Sequence, residues 1–442
     1  MARYADLVVA KCPKQPGPIS HDEFVMLYDG PKRKRYEAAA RNLLDRELVP
    51  TDWEINVFIK DETVCSWSKS DPAPRLISPR SPEYCLELGC FLKPVEHMLY
   101  KAVARVWGEV TIAKGLNFNQ RGEVLHKKWE KYDDPVAVGL DASRFDQHVS
   151  VSALEWEHHI YLSLFKRSKR KLQWLLGKQL SFSGRAYLDD KMVSYSGEGS
   201  RMSGDMNTAL GNCLIMTGLV WSYLAEKNLA ASLMNDGDDC VVVMERRDLA
   251  AFQDGLKEWF TNMGFTMKVE APVDVFEQIE FCQTHPVWNG EGWTMCRNVH
   301  KCLFTDVVHV GRTWQEVVGI RESVAVSGQV WAKGIPVLGA FYTALATGAK
   351  QRIPYNSGTY WNAKGCTTGT TQVTNEARDS FQLAFGLSHT EQMAIEEMYR
   401  SLPSMPFEAP RANLVFEADK DFDDYPLYIS EALQTLLKLK DG

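Results

Sequence analysis

The sequence predicts a mixed α/β (α+β) protein, with an α/β middle flanked by two more helical or irregular regions. Three observations predict it. "DPVAVGLDASRFD" (134–146) is an apolar run ending in a turn, the pattern of a buried strand. "ASLMNDGDDCVVVM" (231–244) sets two apolar runs around Asp236-Gly237, a hairpin signal. Between them, the stretches 152–176 and 203–228 have helical spacing.

Taken in order, the first ~130 residues mix short helical patterns with a proline-rich run, "SDPAPRLISPRSPEY" (70–84). Its prolines should keep the backbone extended and bar a helix. After the 134–146 strand, 152–176 should be one helix, with Ser152 and Glu155 as a capping box. Residues 249–264 form an amphipathic pattern that stops at Gly264. Beyond about residue 305 the pattern turns helical, and 388–402 reads as a capped helix with an acidic face.

With 442 residues, 45% hydrophobic and 24% charged, the chain has the composition of an ordinary globular protein. Its ten cysteines follow no regular framework, so reduced thiols in a cytosolic setting are expected. The opening "MARYADLVVAKCPKQ" lacks the apolar core of a signal peptide. The two most apolar windows, 207–225 and 326–349, carry Asn207, Thr208, Asn212, Lys333 and Pro336. They read as buried helices, and no transmembrane segment is expected. Net charge is −7, but residues 371–442 hold 6 Lys+Arg against 13 Asp+Glu, so the first 370 residues balance. A polyanion ligand therefore requires cations gathered locally, and "KRKR" (32–35) and "KRSKRK" (166–171) are the candidates.

The chemistry centres on acidic residues. Asp141 ends the apolar run "VAVGL", and Asp238 and Asp239 sit in the hairpin turn. Adjacent carboxylates repel, so converging ones call for a cation. Oxygen donors suit Mg²⁺ or Mn²⁺, and a pair of such ions serves in-line phosphoryl transfer. A third element, "SGDMNTALGN" (203–212), sets Thr208 and Asn212 four apart on one helix face, after a Ser203-Gly204 loop able to approach a ligand closely.

These residues resemble the RNA-dependent RNA polymerases of positive-strand RNA viruses, most closely the tombusvirus and carmovirus group. Asp141-Ala-Ser-Arg-Phe-Asp146 is similar to the family's D-x₄-D motif, and Ser203-Gly204-x₃-Thr208-x₃-Asn212 to its SG-x₃-T-x₃-N motif. Gly237-Asp238-Asp239 matches GDD; "FIKDETV" and "DPAPRLISPRSPEY" resemble the triphosphate-facing fingers motif. "IEFCQTHPVW" (279–288) resembles the strand-turn that supports the primer end.

The resemblance implies a right hand with a ferredoxin-like antiparallel palm sheet. Fingers would span 1–135, the palm 136–305 with a fingers insertion at about 155–200, and the thumb and acidic C-terminal segment 306–442. Asp141, Asp238 and Asp239 would be catalytic and ligate Mg²⁺, with Mn²⁺ able to substitute. Lys60, Lys69, Arg75 and Arg80 would meet the triphosphate. Asp146, with Asn212 and Ser203, would accept the 2′-hydroxyl and so favour NTPs over dNTPs. Reverse transcriptases carry a bulky aromatic where Asp146 stands, which argues against that alternative; intact acidic motifs argue against a purely RNA-binding factor. Lys268 would be a general acid toward pyrophosphate; Cys282 and Arg297 would face primer or template. Cys282-x₂-His285 and Cys296-x₃-His300, with Cys302 beyond, have zinc-like spacing but fall where the family carries no metal. Implied partners are template and nascent RNA, NTPs, another viral replicase protein and host factors. The implied location is the host cytoplasm, in a replication complex on intracellular membranes, attached through another protein or an upstream region.

Overall fold

The computed structural model describes residues 1–13, 17–60, 75–188, 191–308, 313–349 and 362–402. The described residues belong to one packed unit, residues 1–404, and residues 405–442 lie outside the described residues. Lys69 and most of the acidic C-terminal segment lie outside them too. Helices and sheets mix throughout the described unit, as the sequence predicts.

One four-stranded sheet contains β1 (Ile55–Ile59), β2 (Leu76–Ile77), β4 (Ser181–Leu188) and β5 (Lys191–Glu198), in the order β2-β1-β4-β5. A second contains β3 (Pro135–Ala142), β6 (Ser232–Asn235), β7 (Asp239–Glu245) and β8 (Met267–Val269), in the order β6-β7-β3-β8, antiparallel at every pairing. A ribbon of β9 (Thr284–Trp288) and β10 (Trp293–Arg297) completes the strands described.

Alternation along β3 sets the two faces of the second sheet. Val136, Val138 and Leu140 are buried against Ile215, Leu219 and Tyr223 of helix Thr208–Lys227, and against Phe252 and Phe260. Each such side chain contributes roughly 1.5–3 kcal/mol by leaving water. Asp141, one residue out of phase, is thereby turned to the exposed face. Helix Thr208–Lys227 is long and apolar enough to cross a membrane, but 78% of its apolar window is buried within the protein.

Several boundaries differ from expectation. The 152–176 helix is two helices, Val151–Leu164 and Lys169–Gly177, broken at Phe165. Its cap is Ser150, which accepts from the Ala153 N–H; Ser152 lies inside the helix. Only Ser152 has a glutamate three residues on, but the extended backbone at Ser150 makes that serine the cap, without a reciprocal carboxylate. A helix begins at Pro82, inside the proline-rich run. At the first helical position the missing N–H costs nothing, so this proline starts the helix it was expected to bar. The 249–264 pattern splits into Leu249–Gln253 and Leu256–Asn262, because Gly255 takes φ +71°. Residues 203–207 are loop rather than helix; the helix starts at Thr208. The capped helix at the C-terminal end is present as His389–Ser401, with Ser388 and Glu391 bonded reciprocally.

Helix Phe118–Trp129 lies directly on β10. A Cβ on Gly122 would fall 2.6 Å from the Thr294 backbone nitrogen. The approach is backbone to backbone, so nothing there can swing aside. We expect Gly122→Ala to destabilise the protein by about 1–3 kcal/mol in denaturant unfolding, although alanine is the better helix former.

Candidate active site

The acidic side chains come together at one end of the second sheet. In the β3–β7 register Asp141 is the direct partner of Asp239, and in the β3–β8 register it is the partner of Lys268. Paired residues on antiparallel strands point to the same face. Asp239, Asp141 and Lys268 therefore stand in a row across three strands, with Asp238 in the turn just before Asp239. Lys268 lies 127 positions from Asp141 in sequence, and the β3–β8 register sets it beside that residue. The Lys268 side chain is 65% exposed, and its ammonium lies 3.4 Å from Glu270 Oε1.

The turn is held by side chains from distant segments. Gly237 takes φ +98°, and the buried Asn235 amide donates to its carbonyl at 2.7 Å and accepts its N–H at 3.2 Å. Residues 111–113 run alongside β6: Asn235 N–H donates to Thr111 O, and Ala113 N–H to Asn235 O, both at 2.8 Å. This delivers Lys114 to Asp236, which also pairs with Arg121 Nη2 at 2.8 Å. Below the turn, Cys282 and Gln283 both adopt left-handed backbone, at φ +53° and +59°. That strained bend points the Cys282 N–H at Asp239 Oδ2, 2.9 Å away. Cys282 thus acts here through its backbone on the acidic turn, with its thiol facing Asp236 Oδ2 at 3.6 Å.

Electrostatics report the crowding. Asp239 is pushed up to about 7, by loss of hydration first and then by Asp238, Asp141 and Asp236, against the Cys282 N–H. Asp238 is raised by partial desolvation and by the carboxylates of Asp146 and Asp141. Asp236 is lowered despite its burial, because Lys114 and Arg121 answer its charge. The positive charge that the sequence demanded near these residues is therefore supplied to Asp236, while Asp141, Asp238 and Asp239 face one another.

Asp146 follows β3 on a short helix, Phe145–His148, with Phe145 stacked on Phe265 at 4.8 Å. Asn212 Nδ2 donates to Asp146 Oδ1 at 2.7 Å. The amide cannot be reversed, because Arg201 Nε donates to Asn212 Oδ1 at 3.2 Å. Arg201 is itself buried against Glu157, and its N–H donates to the Asp146 carbonyl at 2.7 Å. Asp146 is raised by desolvation, opposed by the Asn212 bond and by the charges of Arg201 and Arg75.

Other expectations change. Gly204 does approach something closely, but it is the chain itself: a Cβ there would sit 2.5 Å from Pro79 Cα. Ser203 Oγ accepts from the Ser78 N–H at 3.0 Å and so ties this loop to the β2 segment, not to Asp146. Thr208 donates its hydroxyl to Met202 O at 2.7 Å and Asp205 O at 2.9 Å, shaping the loop before its helix. Arg80 is corrected: it is 3% exposed, paired with Asp205 at 2.6 Å and bonded to the Trp53 and Lys178 carbonyls. Burial takes it out of reach of a triphosphate, and it braces the loop instead. Arg297 is corrected likewise. Both its terminal nitrogens go to Asp306, whose carboxylate also accepts from Tyr342 at 2.6 Å, so its charge is spent inside the protein. Lys60 and Arg75 are brought side by side by the Lys60 N–H to Arg75 O bond of 2.8 Å. Lys114, Arg121, Arg201 and Glu157 were not singled out from sequence; none lies in a motif, although Arg201 stands two residues before Ser203.

Among the described residues no three His, Cys, Asp or Glu side chains form a ready-made metal cage, the Cys282–Cys302 set included. A hard cation that keeps water and substrate phosphates in its shell needs only one or two carboxylates from the protein. The oxygen-only donor set, and the Asp238 and Asp239 carboxyls raised by desolvation and then by neighbouring carboxylates, fit such an ion.

A family model described as viral RNA dependent RNA polymerase matches residues 1–404. The chain is 40% identical over 390 residues to the RNA-directed RNA polymerase of Tobacco necrosis virus (strain A), covering 86% of this chain and 54% of that protein. It is 41% identical over 388 residues to that of Cucumber necrosis virus, covering 86% and 47%. With that of Pothos latent virus (isolate Pigeonpea/India) it shares 41% over 399 residues, covering 90% and 53%. The chain spans about half the length of the curated relatives it matches.

A carboxyl raised by folding binds protons better in the folded state, so its cost is absent at low pH and grows as pH rises from about 4 through 7. Asp239→Asn keeps an acceptor for Cys282 and removes that cost. We expect it to raise the melting midpoint of divalent-free protein by a few degrees at pH 8, with the gain vanishing near pH 4. Equal gains at both pH values in thermal melts would contradict the crowding at Asp239.

Proposed function

Because the chain belongs to the viral RNA-dependent RNA polymerase family, we propose that it joins NTPs to an RNA 3′ end on an RNA template, replicating the genome of a positive-strand virus. The observation that carries this is the β3–β7 register, which sets Asp141 opposite Asp239 beside Asp238. The antiparallel β6-β7-β3-β8 sheet, with helices on one face, supports a palm within 136–305. On this reading fingers come from 1–135 and about 155–200, and the thumb from 306 onward.

Asp141 and Asp238 would hold the divalent ions with Asp239 beside them; bound there, Mg²⁺ or Mn²⁺ would activate the primer 3′-hydroxyl and neutralise the phosphates. Lys60 and Arg75, adjacent on paired backbone, would meet the triphosphate, with Lys69 as a further candidate. Asp146 has one oxygen occupied by Asn212 and offers the other to a ribose 2′-hydroxyl. Arg201 and Glu157 hold that pair still. Lys268, next to Asp141 in register, would give a proton to the departing pyrophosphate. The working setting would be the host cytoplasm, in a membrane-attached replication complex with another viral replicase protein and host factors.

Labelled-nucleotide incorporation on an RNA template with Mg²⁺ tests the reading. Asp238→Ala should lower incorporation on the order of 10²–10³-fold or more, as expected when charge stabilisation at a reacting phosphate is removed. Activity surviving that change would refute the assignment. In the same assay Asp146→Ala should cut the preference for NTPs over dNTPs by at least about 10-fold, since a site that bonds a hydroxyl rejects substrates lacking it.

A further inference from the structure

Away from the acidic site, a cleft of about 870 Å³ opens between residues 18–21, helix Pro82–Trp107 and the start of helix Lys169–Gly177. Its rim carries Lys166, Arg167, Lys169, Arg170 and Lys171, all exposed. The acidic residue lining it is Glu87, already engaged by Lys171 Nζ at 2.6 Å and His21 Nε2 at 3.1 Å. Among the described residues, Lys166, Arg167, Lys169 and Arg170 make no ion pair. Three of the five cations occupy the first turn of a helix, the end where positive charge is least favoured. Helix stability therefore does not explain the run.

The same helix carries an aromatic platform. Trp174 is 44% exposed, four residues after Arg170 and so on its side of the helix. Lys178 Nζ lies 4.8 Å from the Trp174 ring centre, and Trp53 meets that ring edge-on at 5.5 Å. The helix is held firmly: the Tyr84 hydroxyl donates to Leu175 O at 2.8 Å, and Arg80 donates to Lys178 O at 3.0 Å. Uncompensated cations leading to a fixed, half-exposed ring are the combination that tracks a nucleic-acid backbone and stacks a base without reading sequence.

We propose that this cleft is a second RNA-binding site, which takes the phosphate backbone of single-stranded RNA outside the acidic centre. The inference rests on the polymerase reading only in taking RNA as the polyanion at hand. Anisotropy of a labelled single-stranded RNA, titrated with the full chain over a range of salt, tests it. Replacing Lys166, Arg167, Lys169 and Arg170 together by alanine should weaken binding by about 10-fold or more and reduce the salt slope of log K by about 3, at roughly 0.7 per lost phosphate contact. Exchanging each for the other basic residue (Lys166→Arg, Arg167→Lys, Lys169→Arg, Arg170→Lys) should retain binding. Should the fourfold variant melt early, Lys166→Ala/Arg167→Ala should show about half the slope change. Unchanged affinity and slope in a folded variant would overturn the proposal. So would loss of binding to phosphatidylserine vesicles with RNA binding intact. A wild-type chain that binds RNA through these residues but incorporates no nucleotide would uphold the cleft and overturn the polymerase reading.

Discussion

The architecture of the site depends on holding like charges close. Asp141, Asp238 and Asp239 repel one another, and burial makes the repulsion worse. Nothing in the hairpin alone would keep them there. The β3–β7 register imposes the contact, and the apolar face of β3, buried against helix Thr208–Lys227, imposes the register. A slip of one residue would bury Asp141 and expose Val138 and Leu140, which the hydrophobic cost forbids. Core packing thus stores the electrostatic tension that a cation can relieve.

Around that tension the fold distributes braces from far along the chain. Lys114 and Arg121 neutralise Asp236, one residue before the Gly237 bend. The left-handed Cys282 supplies a backbone donor to Asp239. Arg201, buried with Glu157, fixes which way the Asn212 amide faces and hence which atom meets Asp146. Removing one partner of such a buried pair typically costs about 3–5 kcal/mol, because the other charge is left stranded. The acidic centre itself is therefore soft in charge but rigid in position, which suits a site whose proposed task is to orient phosphates rather than to react covalently.

Much of this was legible in the chain. The apolar run before Asp141, the hairpin around Asp236-Gly237 and the polar positions Thr208 and Asn212 are local patterns with periods of 2 and 3.6, and all lie in the expected kinds of element. Breaks within helical patterns were less legible. Gly255 and the Phe165–Ser168 segment interrupt helices whose apolar spacing continues across the gap, because both halves of each pattern still bury apolar residues and the spacing does not record the break. Charged side chains were least legible. Residue type and place in the motifs suggest phosphate contacts for Arg80 and Arg297, yet Asp205 and Asp306 claim them, and neither acid is near its partner in a way that spacing alone would single out.

By itself the sequence determined the elements and the chemistry available, since apolar periodicity selects strand or helix, and carboxylates next to a glycine turn admit few readings. Only the tertiary structure decided which charges stay open to a ligand and which are consumed internally. That choice depends on distances between residues far apart in the chain, 125 positions for Arg80 and Asp205. Such distances come from the packing of the whole core, and no local pattern records them.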